Sequence, residues 1–303
     1  MAERAIPCRQ FPLAAGGLNT KETRLFQSAC FEKCEGRERG MQAVLGVDAA
    51  WTLTQPSGVA LASNAGGAWS LVAVAPSYVS FYALTDSEPA APPPRSDSPL
   101  DVPRLLASSQ KLCGQVVDLV AIDMPLAHGP IRGRRVSDDA VSKAYGGRKC
   151  GTHSPTARRP GTVSDAIKAG FDLAGYPLLA TAITAPGLLE VYPHPALVHL
   201  AKAPERLPYK LSRIRSYWPA CPVAERRALL IKEWPRIVAL LDAWIGGVAK
   251  ALPLPSAEAS GAELKAYENM LDAVVCAGVA ICALQGNATP FGDHHSAIWI
   301  PDG

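Results

Sequence analysis

The most restrictive feature of this sequence is a strongly apolar segment near the C-terminus. The run SGAE at residues 260–263 fits the S-x-x-E capping box, in which a hydroxyl and a carboxylate satisfy free backbone N–H groups at the start of a helix. The predicted helix continues towards Gly286, a residue type that favours helix termination. Residues 274–284 are apolar on nearly every side, so other elements must bury this half of the helix.

Short apolar runs predict the strands that surround this helix. Residues 42–48, 58–63 and 69–75 are predicted strands, and the hairpin signal NAGG joins the last two. Two further strands follow at residues 118–123 and 188–192, and the first lacks polar alternation, which suits a strand covered on both faces. We therefore expect an α/β fold with a mixed sheet: three antiparallel strands, then two parallel strands, with helices on both faces.

Other segments complete the predicted fold. A helix spans about residues 100–116, and a helical stretch covers residues 223–250 with an interruption or kink at Pro235. The run IWI at residues 298–300 is expected to add a terminal edge strand. Residues 88–99 are rich in Pro and Ser and are expected to form a mobile loop.

The domain organisation follows from where periodicity begins. Residues 1–40 carry no sustained pattern, so we expect a disordered leader or an over-extended start before Met41. Residues 41–303 are expected to form one domain with insertions at about 124–185 and 195–258. No apolar run approaches the ~20 residues that span a bilayer, and the N-terminus lacks a signal-peptide core. We therefore expect a cytoplasmic protein without a membrane partner.

Acidic residues lie within the apolar runs that predict strands. Asp48 ends the first strand, Asp123 ends the fourth and Glu190 lies in the fifth. Glu268 and Asp272 are four residues apart on the last helix and face the same way. A lone buried carboxylate is costly, whereas Mg²⁺ or Mn²⁺ would be a suitable partner because hard cations bind carboxylate oxygens. For any one of these acids, an alternative interpretation is that its side chain caps a turn or a helix.

Positive charge is concentrated in one segment. The formal net charge of the chain is only +3, but eight Lys and Arg residues against two Asp residues give 8 − 2 = +6 between residues 131 and 160. Such a cluster is either a solvated loop or a phosphate-binding surface. Its basic members are Arg132, Arg134, Arg135, Lys143, Arg148, Lys149, Arg158 and Arg159.

Several common sites are disfavoured. The eight cysteines include no C-x-x-C pair. Cys30 and Cys34 come closest to a metal-ligand pair, but the sequence has no second pair to complete a zinc site. We therefore expect reduced thiols rather than disulfides or zinc. His294 and His295 are expected at the surface. The sequence contains no P-loop, Rossmann or nucleophile-elbow motif, which disfavours those enzyme classes.

The motifs taken in order resemble a catalogued family. GVDAAW with PSGVALA, then AIDMPL, RRVSDD, EVYPHPALV and ENMLDAVVCAGVA are similar to the predicted nucleases catalogued as domain of unknown function 429, over roughly residues 41–301. That resemblance implies a ribonuclease-H-like fold. It also implies that Asp48, Asp123, Glu190 and Asp272 match the acidic positions of the family.

The resemblance extends to other residues and has one departure. It assigns an R-x-x-D element to Arg135 with Asp138 or Asp139, and His194 to the E-V-Y-P-H-P run. It also assigns residues 209–210 to a Tyr/Ser-Lys element. The family commonly has another acid just before its final Asp, where this chain has NML at residues 269–271. Glu268 is the candidate substitute.

The expected function is that of a metal-dependent nuclease, in which Mg²⁺ or Mn²⁺ activates water for phosphodiester hydrolysis. Asp48, Asp123 and Asp272 would bind the metal, and Glu190 would bind the metal or orient the attacking water, with His194 and Glu268 as auxiliary residues. Two alternatives remain open: a non-catalytic nucleic-acid-binding or scaffold domain, and an actin-like phosphotransferase relative. Nucleic acid would be held by Arg132, Arg134, Arg135, Arg148, Lys149 and Lys210.

Overall fold

A seven-stranded mixed sheet organises the residues that the computed structural model describes, 40–86 and 99–303. The strand order across the sheet is β3-β2-β1-β4-β5-β7-β6. β1, β2 and β3 are antiparallel neighbours, whereas β1, β4, β5 and β7 run parallel to one another, and β6 returns antiparallel to β7. The strands are β1 (Gln42–Asp48), β2 (Gly58–Asn64), β3 (Trp69–Ala75), β4 (Leu119–Ile122), β5 (Gly187–Val191), β6 (Ala288–Gly292) and β7 (Ala297–Pro301).

The described residues also form nine α-helices. They are α1 (Tyr78–Asp86), α2 (Val102–Cys113), α3 (Val136–Tyr145), α4 (Gly161–Leu173), α5 (Pro193–Leu200), α6 (Ile214–Tyr217), α7 (Val223–Trp244), α8 (Val248–Ala251) and α9 (Gly261–Leu284). The predicted mixed α/β fold is confirmed at this level. The predicted leader, apart from Gly40, and the predicted loop, apart from Pro99, lie outside the described residues.

Helices cover both faces of the sheet. Side chains alternate along β1, so Val44 belongs to the core formed with α7 and α9. Leu45 and Val47 belong to the opposite core, which includes residues of α1, α2 and α4. Because both faces are covered, β1 and β4 consist almost entirely of buried apolar residues.

α9 begins at the predicted capping box and crosses the sheet in direct backbone contact. The Ser260 hydroxyl accepts from Glu263 N at 3.2 Å, and the Glu263 carboxylate accepts from Ser260 N at 2.7 Å. A Cβ on Gly46 would lie 2.1 Å from the carbonyl oxygen of Ala273, and a Cβ on Gly58 would lie 2.1 Å from that of Asn269. Glycine at these two positions therefore lets α9 rest on the main chain of β1 and β2.

α9 also satisfies the length and apolarity that a membrane span requires. This differs from the expectation that no segment is apolar enough over such a length. In the structure 89% of its most apolar window is buried inside the protein, as in the core helix of a soluble protein. The helix ends two residues before Gly286, which has the left-handed φ of +72°.

Several details of the structure differ from the predicted fold. α7 runs through Pro235 without interruption, with Leu230 and Leu241 buried on either side of it. The break comes instead at Gly247, which has a left-handed φ of +89°. β7 is not an edge strand: β6, whose Pro290 and Gly292 obscured it in the sequence, forms that edge. α1 and α5 were not predicted.

Candidate functional site

Two of the predicted acids emerge from adjacent strands. Val47 and Ile122 are partners in the parallel pairing of β1 with β4, so Asp48 and Asp123 follow at the same edge of the sheet. The backbone N–H of Asp123 donates to the carbonyl of Val47 at 2.9 Å, which fixes this register at the strand ends. Both side chains belong to partly exposed residues at the carboxyl ends of parallel strands, where open α/β sheets commonly bind ligands.

Asp272 approaches these two residues from α9 and is fully buried. The three carboxylates affect one another electrostatically. Burial and then the charge of Asp272 raise the pKa of Asp48 to about 6. Burial and then the charge of Asp48 raise the pKa of Asp123 well above its usual value. The structure therefore brings together the three residues that were predicted to bind metal.

Asp48 and Asp123 differ from Asp272 in their partners. Within residues 40–86 and 99–303, the carboxylates of Asp48 and Asp123 make no side-chain hydrogen bond or ion pair. Asp272 is held on both oxygens: Tyr209 Oη donates to Oδ1 at 2.6 Å, and Lys210 Nζ donates to Oδ2. Two carboxylates are thus free to bind a cation, while the third is already engaged.

Lys210 lies at the acidic cluster rather than on a phosphate-binding surface. Its Nζ is also 3.7 Å from Oε1 of Glu268. Although burial lowers the pKa of Lys210, the charges of Asp272 and Glu268, then Asp48 and Asp123, raise it well above its usual value. Lys210 is therefore a charged counter-ion of the cluster, and its role as a phosphate ligand stays a prediction.

Glu268 is positioned by bonds to both of its oxygens. The backbone N–H of Leu211 donates to Oε2 at 2.5 Å, and Lys265 Nζ donates to Oε1 at 2.5 Å. Glu268 thereby links α9 to the chain segment that carries Lys210. As the helical spacing predicted, it lies on the same side of α9 as Asp272, since both contact Lys210.

Arg135 forms a buried ionic cluster with Glu190 and Asp138. All five of its N–H donors are used: two go to Glu190 at 2.5 and 2.7 Å, two to Asp138 at 3.0 and 2.9 Å, and one to the Leu126 carbonyl at 2.7 Å. The Leu126 backbone N–H also donates to Glu190 at 2.7 Å. In this structure Arg135 and Glu190 are bound to each other, and their roles as a phosphate ligand and as a metal or water ligand stay predictions. The pair fixes the segment that follows Asp123.

Most other predicted phosphate ligands also bind within the protein. Arg134 pairs with Asp139 at 2.5 Å, and Lys149 pairs with Glu205 at 2.7 Å. Arg148 donates to the carbonyls of Ala203 and Pro204. Arg132 is exposed. The predicted basic surface at residues 131–160 is therefore used largely to hold loops together.

His194 lies buried between two aromatic rings. The ring centroids of Tyr192 and Tyr209 are 5.2 and 5.4 Å from that of His194, and both contacts are edge-on. Its Nδ1 is buried without a hydrogen-bond partner. Burial, followed by the charges of Arg206 and Lys210, lowers the pKa of His194 well below its usual value. The side chain is therefore neutral at pH 7.

One cavity of about 230 Å³ opens onto part of this site. Its lining includes Asp123, Glu268 and His194, and also basic and aromatic residues that the sequence analysis did not single out. Of these, Lys265 could have been found from its spacing of three residues from Glu268. The sequence analysis did not single out the cavity-lining residues Trp51, His153, Tyr192, Arg206, Arg213 and Lys265.

The chemistry of the donors fits a hard divalent cation, but they are not arranged around one point. Among residues 40–86 and 99–303, no group of three or more His, Cys, Asp or Glu side chains is positioned to hold a metal ion. Asp48 and Asp123 nevertheless offer carboxylates without partners, as a cation would require. A third oxygen from Asp272 would become available only if Lys210 moved.

Comparison with known proteins gives one match. No curated protein and no solved structure gives a significant match to this chain. The model of one family, described as protein of unknown function (DUF429), matches residues 46–297. The matched range covers most of the chain and includes all of the acidic cluster. The chain therefore belongs to the DUF429 family.

Proposed function

We propose that this protein is a metal-dependent nuclease that hydrolyses phosphodiester bonds with Mg²⁺ or Mn²⁺ bound at Asp48 and Asp123. The observation that carries the proposal is the pair of unpartnered carboxylates at adjacent strand ends, whose pKa values are raised by burial and by neighbouring acids. Neighbouring groups with perturbed pKa values beside a cleft are candidates for a functional site, and Asp123 lines the cavity here. Here they also have the oxygen chemistry that a hard cation requires.

The sheet supports a ribonuclease-H-like arrangement as part of this proposal. The order β3-β2-β1-β4-β5, with the first three strands antiparallel and β1, β4 and β5 parallel, is the one expected for that fold. In such a fold an acid on β1, an acid after β4 and an acid on the packing helix meet at one edge. Asp48, Asp123 and Asp272 have these positions here.

Each residue has a distinct task in the proposed site. A bound divalent ion would supply a water of lowered pKa and stabilise the leaving oxygen. Asp48 and Asp123 would hold the ion, and Tyr209 keeps Asp272 oriented towards them through its 2.6 Å hydrogen bond. Arg135 and Glu190 hold the backbone of Leu126, three residues after Asp123.

A metal-binding measurement tests the proposal first. Mn²⁺ should raise the melting temperature of the wild-type protein above its value in EDTA, and this increase should be lost in Asp123→Asn. Asp165→Asn is the matched control, because Asp165 lies on α4 and does not line the cavity. The same proteins are then incubated with DNA and RNA oligonucleotides and Mn²⁺. Cleavage that persists in Asp123→Asn would contradict the proposal.

A second candidate is favoured by the position of Lys210. Because its ammonium already neutralises Asp272, the second candidate is a non-catalytic domain that binds nucleic acid without metal. In that case neither Mg²⁺ nor Mn²⁺ would alter the melting temperature, and no oligonucleotide would be cleaved. Oligonucleotide binding would then be equal in EDTA and in Mn²⁺.

A further inference from the structure

Two arginines in the cavity remain without acidic partners. Arg206 and Arg213 line the same cavity as Asp123 and Lys210. Neither forms an ion pair with any acid in the part of the chain that the structure describes. This distinguishes them from Arg134, Arg135 and Lys149, whose charges are neutralised within the protein.

The loop that carries Arg206 is held in place by the basic residues first expected to bind phosphate. Arg148 donates to the carbonyl of Ala203 at 2.6 Å and to that of Pro204 at 3.2 Å, and its own carbonyl accepts from Arg206 N at 2.9 Å. Lys149 and Glu205 add a 2.7 Å ion pair beside it. The result is an arginine on a fixed backbone, which reduces the entropy lost when a ligand binds.

The charges of the two arginines act on the neighbouring histidines. Burial, followed by the charges of Arg213 and Arg206, lowers the pKa of His153. The same two arginines oppose protonation of the buried His194. Nε of Arg206 is also buried without a hydrogen-bond partner. An anion bound here would relieve this repulsion.

We propose that Arg206 and Arg213 bind a phosphate group of a polynucleotide beside the acidic cluster. The proposal rests on the proposed nuclease function and assigns its substrate-binding residues. A cavity lined only by acids would repel a phosphodiester, whereas guanidinium groups bind phosphate with paired hydrogen bonds. The cavity lining thus contains both carboxylates suited to a cation and guanidinium groups suited to an anion, as a metal-bound phosphodiester would require.

Oligonucleotide binding in EDTA tests this subsite without cleavage. The probes are fluorescein-labelled single-stranded DNA and RNA oligonucleotides, measured by anisotropy at several salt concentrations. The variants are Arg206→Ala, Arg213→Ala and the double variant. Arg215→Ala is the matched control, since Arg215 is an exposed arginine two residues from Arg213 that does not line the cavity. Melting temperatures establish that every variant is folded, and Arg213→Ala removes an exposed side chain, so it should fold normally.

We expect the double variant to bind about tenfold more weakly or worse. The slope of log affinity against log salt concentration should fall by the amount expected for one to two lost phosphate contacts. Arg215→Ala should bind as the wild type does. Equal affinity in all the variants would overturn the proposal, and so would an equal loss in Arg215→Ala, because that result indicates general surface charge. Arg206→Lys with Arg213→Lys should recover part of the affinity, since the charge remains but the paired hydrogen bonds do not.

The outcomes separate this inference from the proposed function. If the wild type cleaves no oligonucleotide but the arginine variants lose affinity, the phosphate subsite stands and the nuclease proposal fails. If cleavage depends on Asp123 but affinity is unchanged in the double variant, the nuclease proposal stands and the subsite fails.

Discussion

Nζ of Lys210 donates a hydrogen bond to Oδ2 of Asp272, so an ammonium from the chain itself neutralises the most deeply buried acid of the cluster. A divalent ion bound to all three aspartates would have to compete with this ammonium for Asp272. If the proposed metal binds, its affinity would depend on how readily Lys210 moves away from Asp272.

Replacement of Lys210 by Met should expose this competition. In EDTA the variant should lose about 3 kcal/mol of unfolding free energy, because Asp272 keeps a buried charge without its partner. Mn²⁺ should restore much of that loss and should bind more tightly than to the wild type. Urea unfolding in EDTA and in Mn²⁺ measures both effects. Lys168→Met, which breaks the exposed pair with Asp172, should cost less than about 1 kcal/mol and show no response to Mn²⁺.

The raised pKa of Asp48 predicts an unusual dependence of stability on pH. The folded state binds this proton up to about pH 6, whereas the unfolded chain releases it near its usual value of 3.8. The contribution of Asp48 is therefore present at low pH and is lost as the pH rises from about 4 to 6, by about 2 kcal/mol. Asp48→Asn should lack this component. Urea unfolding of both proteins in EDTA between pH 4.5 and 7.5 measures the difference, and parallel curves would contradict the prediction.

The same protonation should weaken metal binding in acid. A proton on Asp48 or Asp123 removes a carboxylate ligand, because metal binding requires the ionised form. Mn²⁺ affinity measured by calorimetry should therefore fall steeply below about pH 6 and level off above it. An affinity that stays constant between pH 5 and 7.5 would show that the ion binds elsewhere.

Arg135 is expected to be the most sensitive of the predicted basic residues. Arg135→Lys retains the charge but loses the five-bond geometry, leaving Glu190 and Asp138 buried and poorly paired. We expect a loss of about 3–5 kcal/mol in urea unfolding. Arg134→Lys also loses hydrogen bonds, to Asp138 O, Ser142 and Ser154, but its ionic partner Asp139 is largely exposed, so it should cost less, about 1–2 kcal/mol. Similar losses in the two variants would argue against a structural role specific to Arg135.

The sequence predicted those parts of the fold and site that have local signals. The capping box at Ser260 marked the start of α9, and the apolar runs before Asp48 and Asp123 marked the ends of β1 and β4. Strand order then placed these two acids together. β6 was missed because Pro290 weakens the strand pattern, and it forms only through pairing with β7.

The pairing of charges could not be predicted from local patterns. Arg135 meets Glu190 across 55 residues, and Lys210 meets Asp272 across 62. Charge counting identified an excess of positive residues near 131–160 but could not tell which of them bind within the protein. No pattern in the sequence singled out Arg206 and Arg213. Their distinguishing property, the lack of an acidic partner among the described residues, can be recognised only in the folded structure.

The contact of Gly46 with α9 means that the main chain sets the distance between the acid on β1 and the acid on α9. The Gly46 Cα lies against the backbone at Ala273, only two residues from Asp48 on β1 and next to Asp272 on α9. Repacking of neighbouring side chains can make this interface stronger or weaker, but the two main chains already touch and cannot move closer. The main-chain contact therefore fixes the distance between Asp48 on β1 and Asp272 on α9. Only a substitution of Gly46 could change that distance.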